Sequence, residues 1–290
     1  MVKNEDAKAD ILRVIAAAWG IHHTLTHSPA PNPVSLHRCH LDTLNQQNYV
    51  VAEKSDGVRY LLVFGRYKKR PYAVLVNRAL ECYQIEVFAP ILFFDGSVFD
   101  GELVQTDMSK SLIFLVFDVI QSEGKNLRFK NLPDRHRVVA SAFASQSDYG
   151  DDDPTKIRAA VPPFPMDPTL TFVTKTFVSF PLFGSLRRTV KSLKHATDGF
   201  IFTPVDEPIQ RNSHRTCYKW KYAPSIDIQV TSKSQSVADY VLECQDNANV
   251  VDLSTTFPTW KFQLLLKKGC VFPVGVSMII EADVTVQKPN

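Results

Sequence analysis

Tyr49-Val50-Val51-Ala52-Glu53-Lys54-Ser55-Asp56-Gly57-Val58-Arg59-Tyr60-Leu61-Leu62-Val63-Phe64 is the stretch on which the reading of this 290-residue chain turns. Two apolar runs flank the hexapeptide K-S-D-G-V-R, so one strand ends and another begins within residues 54–59. Its pattern, K-x-D-G-x-R, recurs by chance in about two of a thousand chains this long at roughly 5% usage per position, so it needs company to decide anything. The residue types share one chemistry. A lysine amine can attack phosphorus, an arginine can hold phosphate or ribose, and a glycine lets the backbone turn tightly beside a ligand. At a free pKa of about 10.4 a lysine is nearly all ammonium at neutral pH, so attack requires desolvation or neighbouring cations. Arg59 supplies one such cation, and Lys219-Trp220-Lys221 offers two more from a distant strand.

Outward from this stretch the pattern is β-rich. Runs at 49–53, 58–65, 72–77, 81–87, 97–104 and 111–118 are strand-like, with turn residues between them, and predict antiparallel sheet. Lys68-Lys69-Arg70 reads as a turn between two strands, with part of an import signal as the other reading. Apolar positions Ile11, Val14, Ile15 and Trp19 predict a helix over 7–19, and 183–195 reads as a short basic helix. Strands are expected again at 200–203 and 216–222. Residues 145–154 read as an acidic, Gly/Pro-punctuated loop, expected as a solvated surface insertion. The expected fold class is α+β. A domain of antiparallel sheets flanked by helices over 1–225 precedes a small β-barrel over 226–290.

Bulk composition leaves several classes out. A net charge of +3 permits a polyanionic partner but requires any basic footprint to be local. The five cysteines (Cys39, Cys82, Cys217, Cys244, Cys270) are scattered with no C-x-x-C pair, which fits a reduced compartment and no metal-ligand cluster. The most apolar run, 112–120, is interrupted by Asp118 and is too short to span a bilayer, so no membrane is expected.

Further constellations extend the motif. In Lys219-Trp220-Lys221 a period of two puts both lysines on one strand face, where they would clamp phosphate; an exposed strand is the plainer reading. Asp100-Gly101-Glu102 and Thr197-Asp198-Gly199-Phe200-Ile201-Phe202 each place an acid beside glycine where a β-run begins. Such an acid can meet a ribose hydroxyl or a metal on substrate phosphates, although D-G alone usually marks a hairpin turn. Phe117 is a core residue by default, but at a strand end it can stack on a base.

In this order and spacing the motifs resemble the covalent nucleotidyltransferases, and in particular the mRNA capping guanylyltransferases. Pro33-Val34-Ser35-Leu36 is similar to the entry segment of the eukaryotic enzymes, and T-D-G-F-I-F-T-P and Y-K-W-K to their later motifs. The resemblance covers residues 30 to 225. It implies a nucleotidyltransferase domain over 1–225 and an OB-type barrel over 226–290. It also implies that Lys54 attacks the α-phosphate of GTP to give lysyl-GMP, which then passes to a 5′-diphosphate RNA end. Arg59 would contact ribose–phosphate and Arg78 ribose. Glu102 matches the D-G-E acid, Phe117 the aromatic that stacks on guanine, and Lys175, in K-x-F, the lysine that reads guanine. Asp198, Lys219 and Lys221 match the acid and lysines around the phosphates. Magnesium (or manganese) would accompany the triphosphate, with Asp198 or Glu102 as its protein contact. The family further implies an RNA triphosphatase and the RNA polymerase II C-terminal tail as partners, in the nucleus, or in the cytoplasm for a viral enzyme. Its closing R-x-D-K motif has no counterpart, since no arginine follows Arg215, so the barrel is expected to be truncated before it. Two rival readings use the same residues: an ATP-dependent RNA or DNA ligase, disfavoured by T-D-G and K-W-K, and a non-catalytic RNA- or polymerase-binding homologue.

Overall fold

The strand Val58–Tyr67 is apolar on both faces, and that fixes how the larger part of the chain is layered. Leu61 and Val63 join Ile11, Ile15 and Trp19 in one core cluster, while Leu62 and Phe64 join Phe99, Val139 and Phe143 in another. Alternating side chains therefore meet a helix on each side: Glu5–Ala18 on one, Leu132–Ala142 on the other. Both helices begin at an asparagine, Asn4 and Asn131, whose side chain accepts from a first-turn backbone N–H.

A computed structural model of the chain describes residues 1–106, 111–143, 157–159, 170–223, 225–232, 240–246, 249–253, 275 and 277–283. The acidic segment 145–154 lies outside the described residues. The chain divides into two units, Met1–Lys221 and Tyr222–Asn290. In the first, one sheet runs Asn32–Ser35, Ser213–Lys221, Thr197–Pro204, Tyr49–Ser55, Val178–Ser179. A second runs Leu170–Thr174, Leu112–Ser122, Ser97–Gln105, Val58–Tyr67, Arg70–Val76, Cys82–Gln84. The second unit holds a four-stranded antiparallel sheet in the order Asn249–Asp252, Tyr240–Asp246, Ser225–Ser232, Ser277–Asp283, with Ile228, Val230 and Leu242 buried.

The α+β class holds, with differences of detail. Among the described residues two pairings are parallel: Asn32–Ser35 with Ser213–Lys221, and Leu170–Thr174 with Leu112–Ser122. The second parallel pair needs a long crossover, and helix Leu132–Ala142 lies within it. The run 81–87 is broken into Cys82–Gln84 and Val87–Phe88, and the basic helix is shorter than expected, an α-helix over Phe183–Thr189 followed by a 3-10 turn over Val190–Ser192. Lys68 and Lys69 both have positive φ, 49° and 66°, as a two-residue hairpin turn requires.

Neither D-G is a turn. Asp100-Gly101 lies within Ser97–Gln105 and Asp198-Gly199 within Thr197–Pro204. Glycine is there because the neighbours leave no room for a Cβ. At Gly101 it would lie 2.6 Å from the Phe114 ring, and at Gly199 it would run into the Trp220 carbonyl. Gly199→Ala is therefore expected to cost about 2 kcal/mol and to lower Tm by about 4–8 °C. Gly184→Ala, on an exposed helical turn with nothing within 4 Å of the added carbon, should leave Tm unchanged or slightly raised. Equal thermal shifts for the two variants would refute the steric account.

Candidate active site

Alternation along the first sheet separates a packed face from an open one. Tyr49, Val51, Phe200, Phe202 and Tyr218 share a core cluster with Leu186. Ala52, Lys54, Ile201, Thr203 and Cys217 instead line a cavity of about 580 Å³, within the range of small-molecule sites. The second sheet contributes Arg59, Asp100, Glu102 and Phe117 to the same cavity, and the loop after Arg70–Val76 contributes Asn77 and Arg78. Gly57 makes the sharp turn between the Lys54 and Arg59 strands, and a Cβ there would lie 2.5 Å from the Leu103 carbonyl oxygen.

Of the expected site residues, Lys54, Arg59, Arg78, Glu102, Phe117 and Lys175 all line this cavity. Asp198, Lys219 and Lys221 do not line it. Asp198 accepts two hydrogen bonds from Lys54 Nζ, at 2.9 and 2.7 Å, and Lys221 Nζ stands 3.9 Å from the same carboxylate. The ladder explains this grouping, because Gly199 pairs with Lys54 on one side and Lys221 on the other. Lys219 sits two residues back, opposite Ile201. Trp220 stacks on Phe200, with ring centroids 6.0 Å apart.

Arg59 is bound on three of its atoms. Nε and Nη2 donate to Asp100 at 2.8 and 2.5 Å, and Nη1 donates to the Pro31 carbonyl at 2.5 Å. Its burial works against the charge, but the Asp100 carboxylate outweighs that and holds the guanidinium above its ordinary range. Phe117 is not a core residue; half-buried, it covers this guanidinium, with the ring centroid 5.3 Å from Arg59 Cζ. Arg78 donates to Asn32 Oδ1 at 2.7 Å, and burial, then the nearby Arg59, lowers its pKa. Glu102 lies opposite Arg59 in the ladder, yet its carboxylate makes no hydrogen bond or ion pair among the described residues. Burial pushes its carboxyl up, against the pull of Lys175, Arg59 and Lys54.

Lys175 Nζ is held by Glu53 Oε2 at 2.6 Å and donates to Ser55 Oγ at 2.8 Å. His195 Nε2 lies 3.2 Å from the other oxygen of Glu53. Burial works to raise the Glu53 carboxyl, but the His195 hydrogen bond and Lys175 hold it below the usual range. Glu53 and His195 were not among the expected site residues, nor was the pair of buried Arg135 and half-buried Asp118, at 2.8 Å, which also lines the cavity; Asp100 was expected only as an acid beside glycine in D-G-E. A signal existed for the acids: Glu53 interrupts the apolar run Tyr49–Ala52, and Asp100 follows Val98-Phe99 inside a strand with no polar neighbour before it. A charge placed so must find a partner.

Residues 2–223 match the family model described as mRNA capping enzyme, catalytic domain. An mRNA-capping enzyme subunit alpha from Schizosaccharomyces pombe is 30% identical over 208 residues, covering 67% of this chain and 50% of the relative. Subunits of the same name from Neurospora crassa and Yarrowia lipolytica are 28% and 29% identical, over 67% and 71% of this chain. The chain spans about half the length of these curated relatives. A solved DNA ligase–adenylate of Chlorella virus matches at 11% identity with a TM-score of 0.42, over 87% of this chain and 94% of that one. On the family match across most of its residues, the chain belongs to the mRNA capping enzyme catalytic-domain family.

Proposed function

We propose that the chain is a GTP:RNA guanylyltransferase that forms a covalent lysyl-GMP on Lys54. The observation that carries this reading is the placement of Lys54. Its amine stands at the wall of a nucleotide-sized cavity, with one carboxylate, Asp198, in direct contact and Lys221 on the neighbouring rung.

In the first step Lys54 Nζ attacks the α-phosphorus of GTP; a P–N bond forms, the α–β P–O bond breaks and pyrophosphate leaves. The amine must lose a proton for this, and Asp198 is the group in hydrogen-bonding contact to receive it. Lys219 and Lys221 would draw the β- and γ-phosphates to that edge. Phe117 and Ile201, from the two sheets, would take the base between them, with Lys175 meeting its edge and Arg59, Arg78 and Glu102 the ribose–phosphate. Among the described residues no cluster of three or more His, Cys, Asp or Glu side chains could hold a metal by itself. Glu102 and Asp198 are the carboxylates that would meet a magnesium or manganese ion arriving on the triphosphate, where it neutralises phosphate charge. In the second step a terminal phosphate oxygen of a 5′-diphosphate RNA attacks the same phosphorus, and the P–N bond breaks as the Lys54 nitrogen takes back the proton from Asp198 and leaves as an amine. A 5′-diphosphate acceptor requires an RNA triphosphatase upstream, and with the polymerase II tail and nuclear action this completes the proposed setting. No helix among the described residues is long and apolar enough to cross a membrane.

Incubation with α-labelled GTP and magnesium is expected to label the protein through an acid-labile, alkali-stable bond, and Lys54→Ala should take up none. Label retained in Lys54→Ala, or equal labelling from ATP, would sink this assignment. Glu102 allows a second check. Its folded carboxyl is raised, so its contribution to stability is full below the ordinary pKa of about 4.3 and is lost as pH rises through the folded value. Glu102→Gln should therefore raise Tm at pH 7 by about 2–4 °C, an effect of about 1 kcal/mol, with the gain vanishing near pH 4. The same variant should weaken GTP binding about tenfold or more. A Tm gain without loss of binding would remove Glu102 from the site.

A further inference from the structure

Lys175 is fixed from every side. Its backbone N–H donates to the Val116 carbonyl at 2.8 Å, and its carbonyl lies 3.0 Å from His136 Nε2. Its ammonium meets Glu53 Oε2 at 2.6 Å and Ser55 Oγ at 2.8 Å. The carboxylate that holds it is itself saturated: Oε1 accepts from His195 Nε2 at 3.2 Å, and the Ser55 hydroxyl lies 3.1–3.2 Å from both oxygens. Glu53, Lys175 and His195 are all buried, and Lys175 also forms part of the cavity wall. An ammonium has three N–H donors and no acceptor. Two are committed here, which leaves one, in a direction that Lys175 cannot easily change.

We propose that Glu53 and His195 are positioning residues for base selection, holding Lys175 so that its one remaining N–H demands an acceptor from the bound base. The inference rests on the guanylyltransferase reading, in which Lys175 meets the base edge. Guanine offers a carbonyl oxygen at its sixth position where adenine offers an amino donor. A lysine free to swing would find another acceptor on adenine, such as a ring nitrogen; a lysine held by Glu53 meets donor with donor. Selectivity then comes from rigidity as much as from the lysine itself. His195 acts one step further out. It holds the Glu53 oxygen that Lys175 does not use, through an Nε2–H that either the neutral tautomer or the imidazolium supplies. Glu53→Gln replaces one acceptor oxygen with an NH₂ donor, which must then face Lys175 or His195.

The test is equilibrium binding of GTP, ITP and ATP by the full 290-residue chain and by Glu53→Gln, His195→Ala and His195→Gln. ITP keeps the sixth-position carbonyl and so serves as a second reporter of the same contact. The unaltered chain should prefer GTP and ITP to ATP, and Glu53→Gln should cut that preference about tenfold, through weaker GTP and ITP binding with ATP nearly unchanged. His195→Ala should cut it about threefold, and His195→Gln, which keeps an N–H donor, should restore most of it. If Glu53→Gln proves too unstable to fold, the two His195 variants carry the same comparison. A GTP-to-ATP ratio that survives in the variants, or a parallel fall for all three nucleotides, overturns the positioning role and leaves the functional reading intact. Equal binding of GTP and ATP by the unaltered chain overturns both.

Discussion

A carboxylate placed inside a protein has to be surrounded by donors, and Glu53 is the place where this chain meets that requirement most fully. Its two oxygens take Lys175, His195 and Ser55, from three separate stretches of sequence. Glu53 belongs to the first sheet, and Lys175 follows the Leu170–Thr174 strand of the second. The ion pair therefore ties the two sheets together beside the residue that carries the amine. Removing one partner of such a pair leaves an uncompensated buried charge, typically at a cost of about 3–5 kcal/mol. That is a large share of the roughly 5–15 kcal/mol that holds a typical domain folded, so the position of Lys54 is set by a network the whole domain depends on.

The same device recurs around the cavity. Arg59–Asp100 and Arg135–Asp118 are forked guanidinium–carboxylate pairs, both lining it. Buried ion pairs add little net stability compared with apolar packing of equal volume. What they supply here is shape, since each pair holds charged groups in fixed directions at a wall that hydrophobic side chains would close. The apolar work is done elsewhere, by the two clusters on either side of Val58–Tyr67 and the one behind the first sheet. Glu102 stands apart from this pattern as a cavity-wall carboxylate with no hydrogen bond or ion pair among the described residues, and its burial pushes its carboxyl up.

Much of this was legible in the sequence because period-two runs and a six-residue motif are local signals. The strands around Lys54 and Arg59, the hairpin at Lys68-Lys69 and the shared face of Lys219 and Lys221 follow from spacing alone. The helix Leu132–Ala142 carries a cue in Asn131-Leu132-Pro133-Asp134, an N-cap with proline in the first turn, but without an apolar period strong enough to set it apart. The two D-G pairs went wrong for a physical reason. A glycine required by a turn and one required by a neighbouring backbone look identical in one dimension, and only the Trp220 carbonyl beside Gly199 and the Phe114 ring beside Gly101 distinguish them. Pairings such as Glu53 with Lys175, 122 positions apart by number, are set by three-dimensional closure. Sequence could mark Glu53 as a charge needing a partner but could not name it.

The arrangement at Lys54 also constrains the order of events there. The amine donates twice to Asp198, and an ammonium donating in this way offers phosphorus a lone pair only after it gives up a proton. Lys221 stands 3.9 Å from the same carboxylate. A triphosphate carries more negative charge than one carboxylate and so draws Lys221 and Lys219 more strongly. In the proposed reaction, a triphosphate that draws Lys221 away would take a cation from beside Asp198, which would favour transfer of the Lys54 proton to it. Under the proposed function the cations at Gly199 would do more than hold the leaving group, because their engagement would also free the acid beside Lys54.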